Sequence, residues 1–170
     1  MSAPRKNPVE PFPVLRVADI AVDAERPRWL IDGLWGAAAV GLLAGHPKVG
    51  KSWVGLDIAT SVASGTPCLG HFPVRTPGPA LVYLAEDSLP QVRERLAGLA
   101  RHRNLELAAL DVHVITAPRL RLDLDADRAR LLETVRAVRP RLLLLDPLVR
   151  LHGVDENDAQ QISEIGRAHV

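Results

Sequence analysis

The chain has 170 residues, of which 47% are hydrophobic and 24% charged, which fits one domain with a real core and excludes a chain that is disordered throughout. Lys and Arg number 21 against 20 Asp and Glu, so the composition gives no bulk signal for nucleic-acid binding, and a DNA-binding surface would have to be local. The single cysteine, Cys68, excludes a disulfide framework and a cysteine-rich metal site, and we expect an ordinary packed or surface thiol.

The N-terminal residues 1–25 are expected to form an extended arm. Prolines stand at positions 4, 8, 11 and 13 without a helical or strand period, although residues 15–24 could hold a short helix or an edge strand. The N-terminus lacks the apolar segment of a signal peptide, and the longest apolar run, at 34–45, is too short to cross a membrane. We therefore expect a cytoplasmic protein with no membrane partner.

The first core strand is predicted over residues 37–44. This run reads Ala-Ala-Ala-Val-Gly-Leu-Leu-Ala, which has the length and apolar character of a buried parallel strand. Trp29 and Trp35 lead into it. Their rings could stack on a base, but we expect them to cover a sheet edge, because apolar residues adjoin them in the sequence.

A phosphate-binding pattern follows this run directly. The sequence Gly-His-Pro-Lys-Val-Gly-Lys-Ser matches glycine, four free positions and then Gly-Lys-Ser/Thr, in which backbone N–H groups surround the phosphates. Lys51 would reach the β- and γ-phosphates, and the Ser52 hydroxyl would bind Mg²⁺. The predicted nucleotide-binding residues are Gly45, His46, Pro47, Lys48, Val49, Gly50, Lys51 and Ser52. The alternative is an ordinary glycine-containing turn, which the predicted strand before the loop and the predicted helix after it disfavour.

Strand and helix alternate through the rest of the chain. Apolar runs at 80–85, 112–115 and 141–146 predict strands, and apolar residues at helical spacing predict helices over 53–63, 89–103 and 126–138. Because the strands are apolar on both faces, they indicate a parallel sheet covered by helices. The predicted fold class is α/β, with a doubly wound sheet.

Two acids end predicted strands and complete the candidate site. Ligands of such sheets bind at the carboxyl ends of the strands, where Glu86 and Asp146 both fall. Asp146 follows four leucines and would hold Mg²⁺ directly or through water. Glu86 would orient and polarise the attacking water. Asp87 is the competing candidate, but its shorter side chain favours a role in capping the next helix. For each acid the alternative is a charge at a strand end with no chemical role.

Several segments together resemble the RecA-type P-loop ATPases, and in particular the RepA-like branch related to plasmid hexameric replicative helicases. The resemblance is carried by the lead-in from Trp29 to Trp35, by residues 45–53, by Leu-Val-Tyr-Leu-Ala-Glu-Asp at 81–87, and by Leu-Leu-Leu-Leu-Asp-Pro-Leu with the following His-Gly-Val-Asp-Glu-Asn. It implies ATP and Mg²⁺ as ligands, Lys51 and Glu86 as catalytic residues, and Ser52 and Asp146 at the metal. It also implies a homo-oligomeric, hexameric ring with ATP between subunits and single-stranded DNA in its channel.

The same resemblance predicts that the chain is truncated at its C-terminus. Members of this family continue to another core strand, between the P-loop strand and the Asp146 strand. The last residues, Glu-Ile-Gly-Arg-Ala-His-Val, resemble a translated sequencing adapter, so 165–170 are expected to be a non-native tail. The expected organisation is therefore an arm over 1–25, a partial RecA-like ATPase domain over 26–164, and this tail.

Three functions remain open at this point. The first is an ATP-hydrolysing motor that acts on single-stranded DNA in replication or related DNA processing. The second is a P-loop kinase, which would need an arginine-rich lid and an acceptor pocket. The third is an ATP-binding regulatory module without turnover. The position of Glu86 favours water as the acceptor and therefore the first.

Overall fold

The computed structural model describes residues 13–19 and 29–153 and shows helices packed against a parallel sheet. The strands are β1 Trp29–Ile31, β2 Trp35–Gly36, β3 Ala80–Leu84, β4 Val112–Val114 and β5 Leu142–Asp146. The helices are α1 Lys51–Ser64, α2 Leu89–His102 and α3 Asp125–Val138, with 3₁₀ turns at Val17–Asp19, Leu107–Ala109 and Leu148–Arg150. The predicted α/β fold class is confirmed, and the observed α1, α2, α3, β3, β4 and β5 match predicted elements to within two residues at each end.

The parallel sheet has the strand order β4-β3-β5. The chain passes from β3 to β4 on one side and then crosses back to β5 on the other side, which places the reversal of strand order between β3 and β5. The register pairs Ala80 with Leu142 and Leu84 with Asp146, so the two strands end level. Crevices at such reversals are where ligands of doubly wound sheets bind.

The two faces of the sheet carry different helices, as a doubly wound fold requires. On one face, α1 and α2 pack on β3 through Leu56, Ala59, Val92 and Leu96, which contact Ala80, Val82 and Leu84. On the other face, a second cluster contains Tyr83, Leu120, Leu122 and Leu151, with Leu131 of α3 and Leu145 of β5 packed against it. Alternate residues of β3 therefore point to different helices, and all five residues of the strand are buried.

Helix α1 runs antiparallel to the strands. At its C-terminal end, the Val62 carbonyl accepts a hydrogen bond of 3.0 Å from the N–H of Gly78, just before β3 begins. Nearer its start, Gly55 lies so close to β5 that an added Cβ would stand 3.2 Å from both methyl carbons of Leu144. The N-terminus of α1 therefore points to the edge where β3 and β5 end.

The prediction of a buried strand over residues 37–44 is wrong for this structure. No strand is assigned between Gly36 and Lys51, and Val40 and Leu42 are 79% and 69% exposed. The segment passes over Trp35 instead: the ring N–H lies 3.4 Å from the carbonyl oxygen of Ala39, and a Cβ on Gly41 would come within 2.5 Å of the ring. In the described part of the chain, β5 pairs with β3 alone, so no neighbouring strand holds this run in the sheet.

Trp29 and Trp35 are the first residues of β1 and β2, which form a small antiparallel ribbon, and Trp29 is 40% exposed. Leu30 and Ile31 are buried against Ile58 and Val62 of α1, and Trp35 packs on this cluster. Of the predicted N-terminal arm, only 13–19 lie within the described residues, where they are exposed and include a 3₁₀ turn. The remaining parts of the arm and the predicted tail at 165–170 lie outside the described residues.

A nearly buried ion pair joins α1 to the end of α2. The Arg103 guanidinium donates to the Asp57 carboxylate, and the two side chains are only 9% and 15% exposed. Asp57 also accepts the backbone N–H of Leu69 at 2.8 Å, and the Cys68 thiol lies 3.6 Å from the same oxygen. Burial raises the pKa of Cys68 to about 11, and the charge of Asp57 adds to the shift. Cys68 is thus a packed, protonated thiol at neutral pH.

Replacing Asp57 with alanine should lower the free energy of unfolding by about 3 kcal/mol, because it leaves the Arg103 charge without its counter-ion in a site that excludes most water. Urea denaturation followed by far-ultraviolet circular dichroism measures the change. Glu133→Ala is the matched control: it breaks the exposed pair with Arg136 on α3 and should cost less than about 0.5 kcal/mol. Equal losses in the two variants would contradict the structural role of the buried pair.

Candidate functional site

The loop of residues 45–50 leads directly into α1, and its backbone bends where the sequence allows it. Gly50 is the N-cap of α1 with φ 92°, and Lys48 has φ 63°. Left-handed residues alternating with ordinary ones turn successive N–H groups towards one side of the chain, which makes a concavity for an anion. The first N–H groups of a helix have no carbonyl partner within it, and the helix dipole adds positive potential there. Backbone geometry at this loop therefore suits a phosphate group.

Lys51 bends back onto the same loop. Its ammonium group donates 2.8 Å hydrogen bonds to the carbonyl oxygens of Gly45 and His46. An ammonium group has three donors, so these two bonds fix its position and leave one donor for a ligand. The positive charge is thus placed inside the loop, where the motif requires it.

Packing brings the loop and Asp146 to one edge of the sheet. Ser52 stands three residues, or about 4.5 Å of helix rise, before Gly55, which lies against Leu144. Asp146 stands two residues beyond Leu144, at the half-buried end of β5. Because α1 runs antiparallel to β5, both displacements lead towards the same edge. Ser52 and Asp146 therefore both lie towards the edge of the sheet at which β3 and β5 end.

Glu86 lies at the same edge on the neighbouring strand. The N–H of Ala85 donates a 2.8 Å hydrogen bond to the Asp146 carbonyl oxygen, so the pairing of β3 with β5 continues to the residue before Glu86. The side chain of Glu86 is exposed, and its nearest cation is Arg150, at 3.5 Å. It is therefore a carboxylate that can reach solvent beside the loop.

Asp87 has a different environment, which the sequence does not show. Its carboxylate pairs with Arg95 at 2.5 Å, and Arg95 lies over the ring of Trp53, 5.5 Å from its centroid. Ser88 is the N-cap of α2, and its N–H and hydroxyl both donate to the side-chain oxygen of Gln91. The expectation that Asp87 caps the helix is wrong: Ser88 is the N-cap, and Asp87 pairs with Arg95, which lies over Trp53 of α1.

No sequence motif predicts the two arginines that lie near the site. Arg95 lies seven residues after the N-cap of α2, and the amphipathic pattern alone does not distinguish it from other polar positions of that helix. Arg150 lies in the 3₁₀ turn after β5, in a loop that the sequence places at the correct edge without indicating a partner. Only the fold shows that one pairs with Asp87 and the other with Glu86.

The described residues do not form a metal site by protein ligands alone. Among residues 13–19 and 29–153, no group of three or more His, Cys, Asp and Glu side chains could hold a metal ion. A hydroxyl and one carboxylate nevertheless suit Mg²⁺, which keeps several waters and is usually shared between a few protein oxygens and the phosphates of a substrate. Ser52 and Asp146 are such a pair.

A family model described as an AAA domain matches residues 5–169 of the chain. No curated protein matches the chain. In the described part of the chain, no helix combines the length and apolar character needed to cross a membrane.

Proposed function

The chain belongs to the AAA domain family, a family of P-loop ATPases, and we propose that it binds ATP with Mg²⁺ at residues 45–52 and hydrolyses it once a further strand pairs with β5. One observation carries the proposal: the phosphate-binding loop at the N-terminus of α1 opens at the same sheet edge as Asp146 and Glu86. A phosphate cradle, a metal-binding acid and a solvent-exposed carboxylate are the parts that phosphoryl transfer to water requires.

The loop and Lys51 bind the triphosphate in this proposal. Backbone N–H groups between 45 and 52, apart from Pro47, which has none, donate to phosphate oxygens, so the side chains of His46, Pro47 and Val49 need no specific chemistry. Lys51 exchanges its bonds to loop carbonyls for bonds to the β- and γ-phosphates. Ser52 and Asp146 would hold Mg²⁺, which would neutralise the charge that develops on the phosphate oxygens.

Glu86 acts as the general base. It accepts a proton from the attacking water while the water oxygen forms a bond to the γ-phosphorus, and the bond from that phosphorus to the β–γ bridging oxygen breaks. The electron pair of the broken bond leaves with ADP. Asp87 is less suited to this role, because its carboxylate is already bound by Arg95. The exposed Glu86 has only the longer contact to Arg150.

We further propose that the protein is a RecA-like motor of the RepA-like kind, acting in the cytoplasm on single-stranded DNA as a hexameric ring, in replication or related DNA processing. The support is the motif resemblance at 45–53, 81–87 and 142–157. A kinase and a regulatory module without turnover are the competing functions. ATP hydrolysis measured with and without single-stranded DNA separates the three, since only the motor is stimulated by DNA.

Lys51→Ala should weaken MgATP binding at least about tenfold, because one charge-assisted hydrogen bond to phosphate is worth about 1.5–3 kcal/mol. Titration with a fluorescent ATP analogue measures the affinity. Lys48→Ala is the matched variant: it also removes a lysine from the loop, but it keeps the backbone N–H and should lose much less. Binding by Lys51→Ala within twofold of the unaltered chain would contradict the site.

In a chain extended by a further core strand next to β5, Glu86→Gln should leave ATP binding nearly intact while it lowers turnover at least about a hundredfold, the lower range for loss of a general base. Asp146→Asn should instead weaken the Mg²⁺ dependence and turnover together. Steady-state phosphate release at several Mg²⁺ concentrations gives both quantities. A normal rate in Glu86→Gln together with an inactive Asp87→Asn would show that Asp87, and not Glu86, is the general base.

We expect residues 1–170 alone to show no measurable hydrolysis and weak amide-exchange protection at 37–44. The reason is that this exposed run is unpaired, so the loop that it enters is fixed on the α1 side only. Positioning supplies most of the catalysis in phosphoryl transfer. A chain extended by a further core strand next to β5 should gain cooperative unfolding and activity. DNA-stimulated hydrolysis by the 170-residue chain, with a sharp melting transition, would contradict this expectation.

A further inference from the structure

A second polar cleft opens on the Tyr83 face of the sheet, away from α1 and α2. It has a volume of about 310 Å³, and three arginines line it: Arg119, Arg121 and Arg150. Tyr83 and Ala85 of the β3 end contribute to its wall. We call it the arginine cleft. Its lining belongs to the loop after β4, the turn after β5 and the opposite face of β3, and its Arg150 also contacts Glu86 of the proposed nucleotide site.

The three guanidinium groups differ in whether a carboxylate pairs with them and how closely. Arg121 binds Asp123 through two of its nitrogens, and the N–H of Gly153 donates 3.1 Å to the same carboxylate. The hydrogen bonds from Arg121 hold the pKa of Asp123 well below its usual range, so this acid stays charged. Arg121 and Asp123 therefore form a fixed ion pair without net charge at one side of the cleft.

Arg119 and Arg150 supply the unmatched charge. Arg119 is exposed and has neither an ion-pair nor a hydrogen-bond partner in the part of the chain that the structure describes. Among the described residues, the one ion-pair partner of Arg150 is Glu86, at 3.5 Å, in a pair whose side chains are 64% and 60% exposed and which is therefore weak. Asp123 and Asp127 both act on Arg121, and Glu86 pairs with Arg150, so Arg119 is the guanidinium of the three without a carboxylate partner in the described residues.

We propose that the arginine cleft binds a phosphate-type oxyanion through Arg119 and Arg150. A guanidinium presents five N–H donors in a planar fork, and the fork matches two oxygens of a phosphate. Two such forks lining one cleft, of which one is unpaired and one weakly paired, can contact a phosphate from two sides. The cleft has room for a phosphate group, whether free or part of a nucleic-acid backbone. This inference does not depend on ATP hydrolysis.

The test is calorimetric titration with pyrophosphate, without Mg²⁺, of the chain carrying Lys51→Ala, which weakens the nucleotide loop. Adding Arg119→Ala or Arg150→Ala should lower the affinity at least about tenfold. Adding Arg101→Ala should change it less than twofold, because Arg101 is an equally exposed arginine at the end of α2, on the other face of the sheet. Adding Glu86→Gln should tighten binding, since it frees Arg150 from its competing carboxylate.

The pyrophosphate affinities of the Arg119→Ala and Arg101→Ala variants are also compared in the chain that keeps Lys51. The difference between these two affinities measures binding at the arginine cleft, even if the phosphate-binding loop also binds pyrophosphate. Competition by a single-stranded oligonucleotide would assign the cleft to a phosphodiester, and its failure to compete would assign it to a small phosphate. Both results support an oxyanion site. Absence of pyrophosphate binding, a loss below twofold in Arg119→Ala, or an equal loss in Arg101→Ala would overturn it.

Discussion

The close packing of α1 on β3 and β5 is the constraint on which the candidate site depends. Gly55 permits this approach, because a larger residue would push against Leu144. Leu56 and Ala59 then fix the rotation of the helix by burying one side on β3. Once the helix is fixed in this way, its N-terminus and the ends of both strands must meet at one edge. The loop, Asp146 and Glu86 therefore need no contact with one another to lie at this edge.

Ion pairs decide which acid at this edge is available for chemistry. Glu86 and Asp87 are neighbours in the sequence, but their side chains are 60% and 15% exposed. Arg95 also separates them: it binds Asp87 and lies on Trp53, so it ties the end of β3 to the start of α1. The same contact that steadies the P-loop helix also occupies Asp87, and Glu86 is left as the carboxylate that can reach a water molecule.

The sequence predicts the elements whose signal is local. The helices and the strands at β3, β4 and β5 follow from periodicity and apolar runs, and the loop follows from a motif whose glycine and lysine have direct physical roles. Pairings between distant residues are not predictable in this way. Arg103 meets Asp57 across 46 residues, and Arg150 meets Glu86 across 64, because the fold and not the sequence spacing brings them together.

The run at 37–44 shows where apolar character alone misleads. A strand needs a partner for its backbone N–H and C=O groups, and burial of its side chains follows from that pairing. Here β5 has a partner on one side only within the described residues, and the run instead passes over Trp35 with its apolar side chains exposed. At its C-terminal end the nucleotide loop is therefore fixed by α1, whereas at its N-terminal end it follows residue 44 of a run that pairs with no strand. A strand that paired with both β5 and this run would bury Val40 and Leu42 and fix the second end of the loop. The same pairing would set the distance from Lys51 to Glu86.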